Sequence, residues 1–253
     1  MAKLSKRIEN AVRREKNSKE YAENYLDYEE DVKGHFDFDT RFLDSLLRKK
    51  GSLFDATMGT GRHLVHFAKK GFKVYGNDYN KFMIKVSAKT LKKNRIKAVL
   101  YNYDISDLSK IKSDSFDYVI SMYSSFGCIP TKAKRQKSMN ELFRVAKKNG
   151  FVIVHAHNRL AGIKEPDMYS WLLKTYFFRE KDLEIGDYYF YHSKILNKTY
   201  MHWFSFDEFR SLFENAGLKI VKKIFLNKEE DDYYRGILKR VLSGGFIFVG
   251  KKI

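Results

Sequence analysis

The chain has a single cysteine, Cys128, in 253 residues. That excludes an intrachain disulfide and any metal centre built from several thiolates. Long apolar runs are also missing: no stretch approaches the roughly 18 residues needed to cross a bilayer. The opening MAKLSKRIEN carries too many charges for the apolar core of a secretory leader. The expectation is a cytoplasmic chain with no membrane partner. Acidic residues are in deficit, 31 Asp and Glu against 49 Lys and Arg, so the net charge is +18. Such a field attracts polyanions, which keeps RNA open as a partner. The surplus is mostly scattered lysine, however, whereas a nucleic-acid face would show clustered arginines interleaved with aromatics. The densest basic stretch, 3–16, carries Leu4, Ile8 and Val12 at helical spacing and reads as a helix packed by one stripe.

The seven histidines, at 35, 63, 66, 155, 157, 192 and 202, form no H-E-x-x-H arrangement. His155 and His157 stand two apart on a predicted strand and share one face. No third ligand lies near them in the chain, so the sequence predicts no metal site.

What the chain does have is GSLFDATMGTGR at 51–62, followed by VYGND at 74–78. A short apolar run ending in Asp55 is a buried strand, and Gly59 and Gly61 let the backbone approach a ligand at the start of the next helix. The second strand ends at Asp78, where a carboxylate can accept both hydroxyls of a ribose at the switch point of a doubly wound sheet. A dinucleotide fingerprint needs a third glycine, and here Gly61 is followed by Arg62, His63 and Leu64. A nucleoside without phosphate is the better ligand.

These residues resemble the class I S-adenosylmethionine-dependent methyltransferases. DATMGTG at 55–61 is similar to their D-x-G-x-G-x-G turn, with Thr57 at the first glycine, and VYGNDYNKFM at 74–83 to their second-strand block. NYDI at 102–105 resembles the acidic block near the adenine amino group. FDYVISMYSSFG at 116–127 resembles the fourth-strand block beside the methyl group, and LFRVAKKNGFVIV at 142–154 the helix, turn and fifth strand. The resemblance implies S-adenosyl-L-methionine as cofactor, bound by Tyr25, Asp55, Ala56, Thr57, Gly59 and Gly61 on one side. Asp78, Tyr79, Asp104, Ile105, Met122 and Tyr123 complete that set. Asp104 also has a plainer reading, as a cap for the turn that Ser106 and Asp107 begin.

Strands are expected at 51–56, 73–77, 97–101, 116–121 and 151–157, alternating with helices at 61–70, 80–94 and 132–147, the pattern of a parallel sheet with right-handed crossovers. Helices at about 4–16, 21–30 and 39–49 precede it, and Tyr21 and Tyr25, one turn apart, either close on ligand or only pack. Beyond Asn158 come a helix at 167–176, an aromatic hairpin turning near Asn197, and a helix in which Ser205 and Glu208 form a capping box and Gly217 ends the run. Strands 218–226 and 245–252 finish the chain, the last antiparallel; 227–232 reads as a mobile polar loop. The fold expected is α/β: a doubly wound, seven-stranded, mostly parallel sheet with N-terminal helices and an inserted α+β lid. Its parts are 1–50 covering the cofactor pocket, 51–158 the cofactor-binding core, 159–204 the substrate lid, and 205–253 the end of the core sheet.

Methyl transfer from a sulfonium is an in-line displacement that depends mainly on positioning, so a base is optional. Tyr123 and His155 are the catalytic candidates. Ser125, Phe126, His157 and Asn158 are candidates to line the acceptor site at the strand ends, and Tyr191 and Trp203 to cover it, with Tyr188, Tyr200, His192 and His202 beside them. Two blocks argue for a small-molecule acceptor: SSFG at 124–127 resembles small-molecule N- or O-methyltransferases, and the N-P-P-Y tetrapeptide of enzymes acting on a flipped base is absent. An RNA methyltransferase and a non-catalytic nucleotide sensor are the alternatives.

Overall fold

The computed structural model describes residues 10, 17–31, 33–161, 163, 166–178, 183–192 and 196–253. The basic helix expected at 4–16 lies, except for residue 10, outside them. Two helices lead, α1 (Lys19–Asp31) and α2 (Lys33–Leu46). The alternating core follows: β1 (Ser52–Asp55), α3 (Arg62–Lys69), β2 (Lys73–Asn77), α4 (Lys81–Lys93) and β3 (Val99–Tyr101). It continues through β4 (Phe116–Ser121), a 3-10 turn (Ser125–Cys128), α5 (Lys132–Val145) and β5 (Ala146–His157). After α6 (Pro166–Phe177), β6 (Asp187–His192) pairs with β7 (Leu196–His202). The chain ends with α7 (Phe206–Asn215), β8 (Leu218–Phe225), the short α8 (Lys239–Leu242) and β9 (Gly245–Lys252).

The main sheet has seven strands in the order β3-β2-β1-β4-β5-β9-β8. β1 to β5 run parallel, and β9 joins β5 and β8 antiparallel. Successive residues alternate between its faces, as a pleated strand requires. Phe54, Val119, Val152, Val154, Phe246 and Phe248 build the layer shared with Leu142 and Phe209, while Leu53, Ile120, Ile153, Ile247 and Val249 meet Phe42, Leu64 and Phe67 on the other. The order reverses between β1 and β4, so their C-terminal ends splay around a crevice.

Two local expectations need correction. Asn197 sits inside β7, where the preceding Leu196 already pairs with His192, so it is a strand residue rather than the turn. Only half of the capping box forms: Ser205 Oγ accepts the Glu208 N–H, but the Glu208 carboxylate turns to His202 Nε2 at 2.8 Å and to Arg159. A buried imidazole and a guanidinium compete better for a carboxylate than one backbone amide. The same knot ties the hairpin to the core: Arg135, fully buried on α5, pairs with Glu184, and His202 Nδ1 and Tyr200 Oη both contact Asp187 Oδ1 at 2.7 Å.

Candidate active site

The crevice is built by the turn after β1. Gly59 and Gly61 both adopt left-handed backbone angles, φ 53° and 83°. At Gly59 this aims its N–H at Asp78 Oδ2, 3.0 Å away, while Asp78 Oδ1 accepts the Asn80 N–H at 2.8 Å. A carboxylate has about four acceptor positions. Two are taken by backbone, leaving two for a pair of hydroxyls. Burial pushes the Asp78 carboxyl up to about 6, against the pull of the Asn80 and Gly59 amides and with Asp55 nearby adding to the rise.

Gly61 does something else. It does not line the crevice, and a Cβ there would stand 3.2 Å from Ser87 Cβ on α4. It caps α3 and lets the two helices close, the packing role that a third glycine has in dinucleotide folds.

The larger part of the crevice spans about 1090 Å3, its open mouth included, and is lined by Ala56, Thr57, Gly59, Asp78, Tyr79, Asp104 and Ile105, with Tyr21 and Tyr25 from α1. α1 is held there because Asn80 Nδ2 donates to Ser18 O at 3.0 Å. Cys128, Ile129, Pro130 and Lys134 form the opposite wall. Asp104 has both oxygens engaged: Oδ1 takes the Ser106 N–H and hydroxyl, and Oδ2 pairs with Lys134 at 2.9 Å. Burial opposes its ionisation, yet Lys134 and Ser106 hold the carboxyl below its usual value. Its capping role is therefore present, on the pocket wall.

A second, smaller recess of about 280 Å3 adjoins, lined by Tyr25, Glu29, Asp55, Thr57, Arg62, His63, Met122, Tyr123 and Ser125. Asp55 accepts the Thr57 N–H and meets His63 Nδ1, both at 3.2 Å. The chain bends into it through Tyr123 and Ser124, two non-glycine residues at φ 53° and 51°. Such angles cost of order 1–3 kcal/mol each and persist where the surroundings fix them. Ser124 Oγ accepts the His157 N–H at 2.9 Å, and the Tyr123 hydroxyl meets that of Tyr28 at 2.6 Å. Burial and that neighbour push the Tyr123 phenol far above its usual range. It can orient a ligand by hydrogen bonding but cannot serve as a phenolate base.

Behind this recess runs a buried polar chain that the sequence did not disclose. Arg62 stacks on Phe36, 3.5 Å from guanidinium carbon to ring centre, and its Nη2 lies 3.6 Å from Asp39 Oδ2. Asp39 Oδ1 faces His155 Nδ1 at 3.9 Å, His155 Nε2 faces Glu230 Oε2 at 3.1 Å, and Glu230 Oε1 meets His157 Nδ1 at 2.7 Å. Glu230, only 4% exposed, comes from the segment expected to be a mobile polar loop. The turn folds inward because Asn227 Oδ1 accepts the Asp231 and Asp232 amides, and Gly245 lacks the side chain that would displace Glu230.

The candidates accordingly divide. His155 is 1% exposed and lines neither part of the crevice, so it touches a reacting molecule only through its neighbours. His157 is the more accessible imidazole, 5.4 Å from Trp203 centre to centre. Trp203 also packs on Trp171 and Tyr188. Phe126 and Asn158 are corrected as substrate residues, since both are fully buried. Phe126 packs in the core towards Phe204, and Asn158 Nδ2 donates to Val241 O and Ser243 O while its Oδ1 accepts from Leu160. The side chain of Tyr191 lies outside the described residues. Asn77 was also missed: buried at the end of β2, it donates to Ala56 O and Tyr103 O and accepts the Tyr103 N–H, joining the loops after β1 and β3. The signal was an amide at a strand end where apolar residues belong.

Residues 53–150 match the methyltransferase-domain family. YqeM of Bacillus subtilis (strain 168), whose own methyltransferase assignment is provisional, is 24% identical over 131 residues, 51% of this chain and 52% of that protein. The chain thus spans about half the length of that relative. A glycine/sarcosine N-methyltransferase of Aphanothece halophytica is 26% identical over 46% of this chain and 45% of its own. Among solved structures, an S-adenosylmethionine-dependent methyltransferase of Methanosarcina mazei superposes with TM-score 0.68 at 18% identity, covering 84% of this chain and 97% of the other. The 1,6-didemethyltoxoflavin-N1-methyltransferase of Burkholderia thailandensis, solved with its substrate and S-adenosylhomocysteine, gives 0.59 at 12% identity, covering 91% and 83%. By its glycine turn and this match, residues 53–150 are similar to the methyltransferase-domain family, and the strand order of the whole sheet is the fold shared with these S-adenosylmethionine-dependent methyltransferases.

Proposed function

We propose that the protein transfers the methyl group of S-adenosyl-L-methionine to a nitrogen or oxygen of a small molecule. The observation that carries the cofactor assignment is Asp78, whose two free acceptor positions face a crevice floored by a glycine that offers no Cβ. The donor set suits a cationic nucleoside: Asp55, Glu29, Asp78 and Asp104 surround the crevice of a chain whose net charge is +18.

Bound there, the cofactor supplies an electrophilic methyl on a sulfonium. Asp78 grips the ribose hydroxyls, and Tyr79, Asp104 and Ile105 flank the adenine. Asp55 and Arg62 face the charged methionine end in the smaller recess. Tyr25, which borders both parts, covers the junction, and Tyr123 and Ser125 orient the acceptor. Holding the acceptor at attack distance contributes several kcal/mol, up to roughly 7–11 in ideal cases. A neutral amine needs no base; a hydroxyl must lose its proton, and His157, the more accessible imidazole beside Trp203, is the candidate for taking it. Trp203, with Trp171 and Tyr188, forms the apolar wall of the acceptor site. The described residues of 1–50 then act as the cover of the cofactor, and those of 159–204 as the cover of the acceptor.

A small-molecule acceptor is supported by the SSFG block and by the aromatic wall. Incubating the protein and methyl-labelled cofactor with a cell extract split into small-molecule, RNA and protein fractions tests it. Label is expected in the small-molecule fraction. Label confined to RNA, in a reaction that fades steeply with added salt, would contradict it.

A further inference from the structure

We propose that His155 Nε2, His157 Nδ1 and the Glu230 carboxylate form a binding site for one divalent metal ion of the zinc class, where β5 ends against the 227–232 turn. The three side chains offer ligand atoms that all lie within 4.8 Å of one another. Two imidazoles and one carboxylate are the donor set of three-ligand zinc sites, which leave a further position for water or a substrate oxygen.

Two observations point from the cluster to an ion. First, His155 Nε2 and Glu230 Oε2 form a buried ion pair at 3.1 Å, yet neither atom makes a well-formed hydrogen bond. Buried polar atoms without a hydrogen bond are rare and call for an occupant. Second, the far nitrogen of His155 faces Asp39 Oδ1 at 3.9 Å, and Asp39 is steadied in turn by Arg62. Metal sites place a carboxylate behind the ligating imidazole; here it stands on that side, outside hydrogen-bonding reach. Among the described residues, the other His and carboxylate cluster, Glu184, His202 and Glu208, makes the contrast, because Arg135 and Arg159 pair with its carboxylates.

The His157 edge of the site stands against Trp203, on the acceptor side. An acceptor oxygen is therefore the substrate group the ion would take, and a bound hydroxyl would ionise more readily. This last step rests on the methyl-transfer reading. Ion binding itself does not.

The test is made on the full-length protein without cofactor or acceptor, stripped with chelator and titrated with zinc chloride, then with cobalt(II) chloride for its visible absorption. One ion per chain is expected, with cobalt bands of a nitrogen and oxygen site. His157→Ala, at the accessible edge, and Glu230→Gln are each expected to weaken binding at least tenfold. His157→Ala should keep the metal-free circular dichroism spectrum. Glu184→Gln should bind as the parent does. The proposal is overturned by no uptake at one equivalent, by unchanged uptake in both cluster variants, or by uptake that is lost in Glu184→Gln alone while that variant keeps the parent's circular dichroism spectrum. If ion binding holds while no acceptor is ever methylated, the metal site stands and the methyl-transfer reading fails.

Discussion

The Gly59 N–H donates to Asp78 Oδ2 across 3.0 Å, so the turn after the first strand and the end of the second are fastened at one carboxylate. Burial raises that carboxyl to about 6. Hydroxyl donors stabilise its ionised form, so ligand binding must lower its pKa. Cofactor affinity is therefore expected to be flat above about pH 7 and to weaken by up to tenfold per pH unit below about 6, one proton being released per cofactor bound. The sign is opposite for the free fold: a raised carboxyl pKa means that Asp78 detracts from stability above pH 6, and that this cost fades as pH falls towards the unfolded value. Isothermal titration between pH 5 and 8 checks the first part. A pH-independent Kd would contradict it.

Gly59→Ala and Gly61→Ala should separate binding from packing. Each places a Cβ on a left-handed backbone, costing about 1–2 kcal/mol. At Gly61 the new carbon also meets Ser87 Cβ at 3.2 Å, so the effect falls on stability. At Gly59 it points into the crevice with only Tyr25 nearby, at 3.9 Å, so cofactor affinity falls further than melting temperature accounts for. Thermal melts and cofactor titrations of both variants read the difference.

Asn77→Leu is close in size but leaves Ala56 O, Tyr103 O and the Tyr103 N–H without their side-chain partner. Unpaired buried groups cost about 1–3 kcal/mol each. A loss of at least 3 kcal/mol on that scale is expected in denaturant unfolding, with an unchanged m-value.

Arg135→Met removes the fully buried guanidinium that pairs with Glu184 and lies 3.6 Å from Glu208. Breaking a buried pair by deleting one partner costs about 3–5 kcal/mol. The hairpin should loosen first, seen as faster amide exchange in β6 and β7 than in β1 or β4.

The parts legible in the sequence are those decided by near neighbours. β4 occupies 116–121 as expected, because its alternation between two cores requires an apolar run of that length. The glycine turn and Asp78 were readable because left-handed turns and strand-end carboxylates leave local marks. Glu230 left none: a buried glutamate in a polar run looks like any solvated loop, and only the approach of β5, 73 residues earlier, reveals its partners. A third candidate ligand beside His155 and His157 could not be found along the chain for the same reason. Asn158 and Phe126 were misread for the opposite reason. Their position after a strand suggested a ligand, whereas α8 and the hairpin had already enclosed them. Gly61 was placed in the right turn with the wrong duty, because its constraint comes from α4 across the layer.

The central claim is tested most directly by calorimetric titration of S-adenosylmethionine into the parent protein and Asp78→Ala at pH 7.5. Two hydrogen bonds to a charged acceptor, at about 1.5–3 kcal/mol each, predict an affinity loss of about a hundredfold or more with the fold intact. Equal affinity in the two proteins would contradict the account.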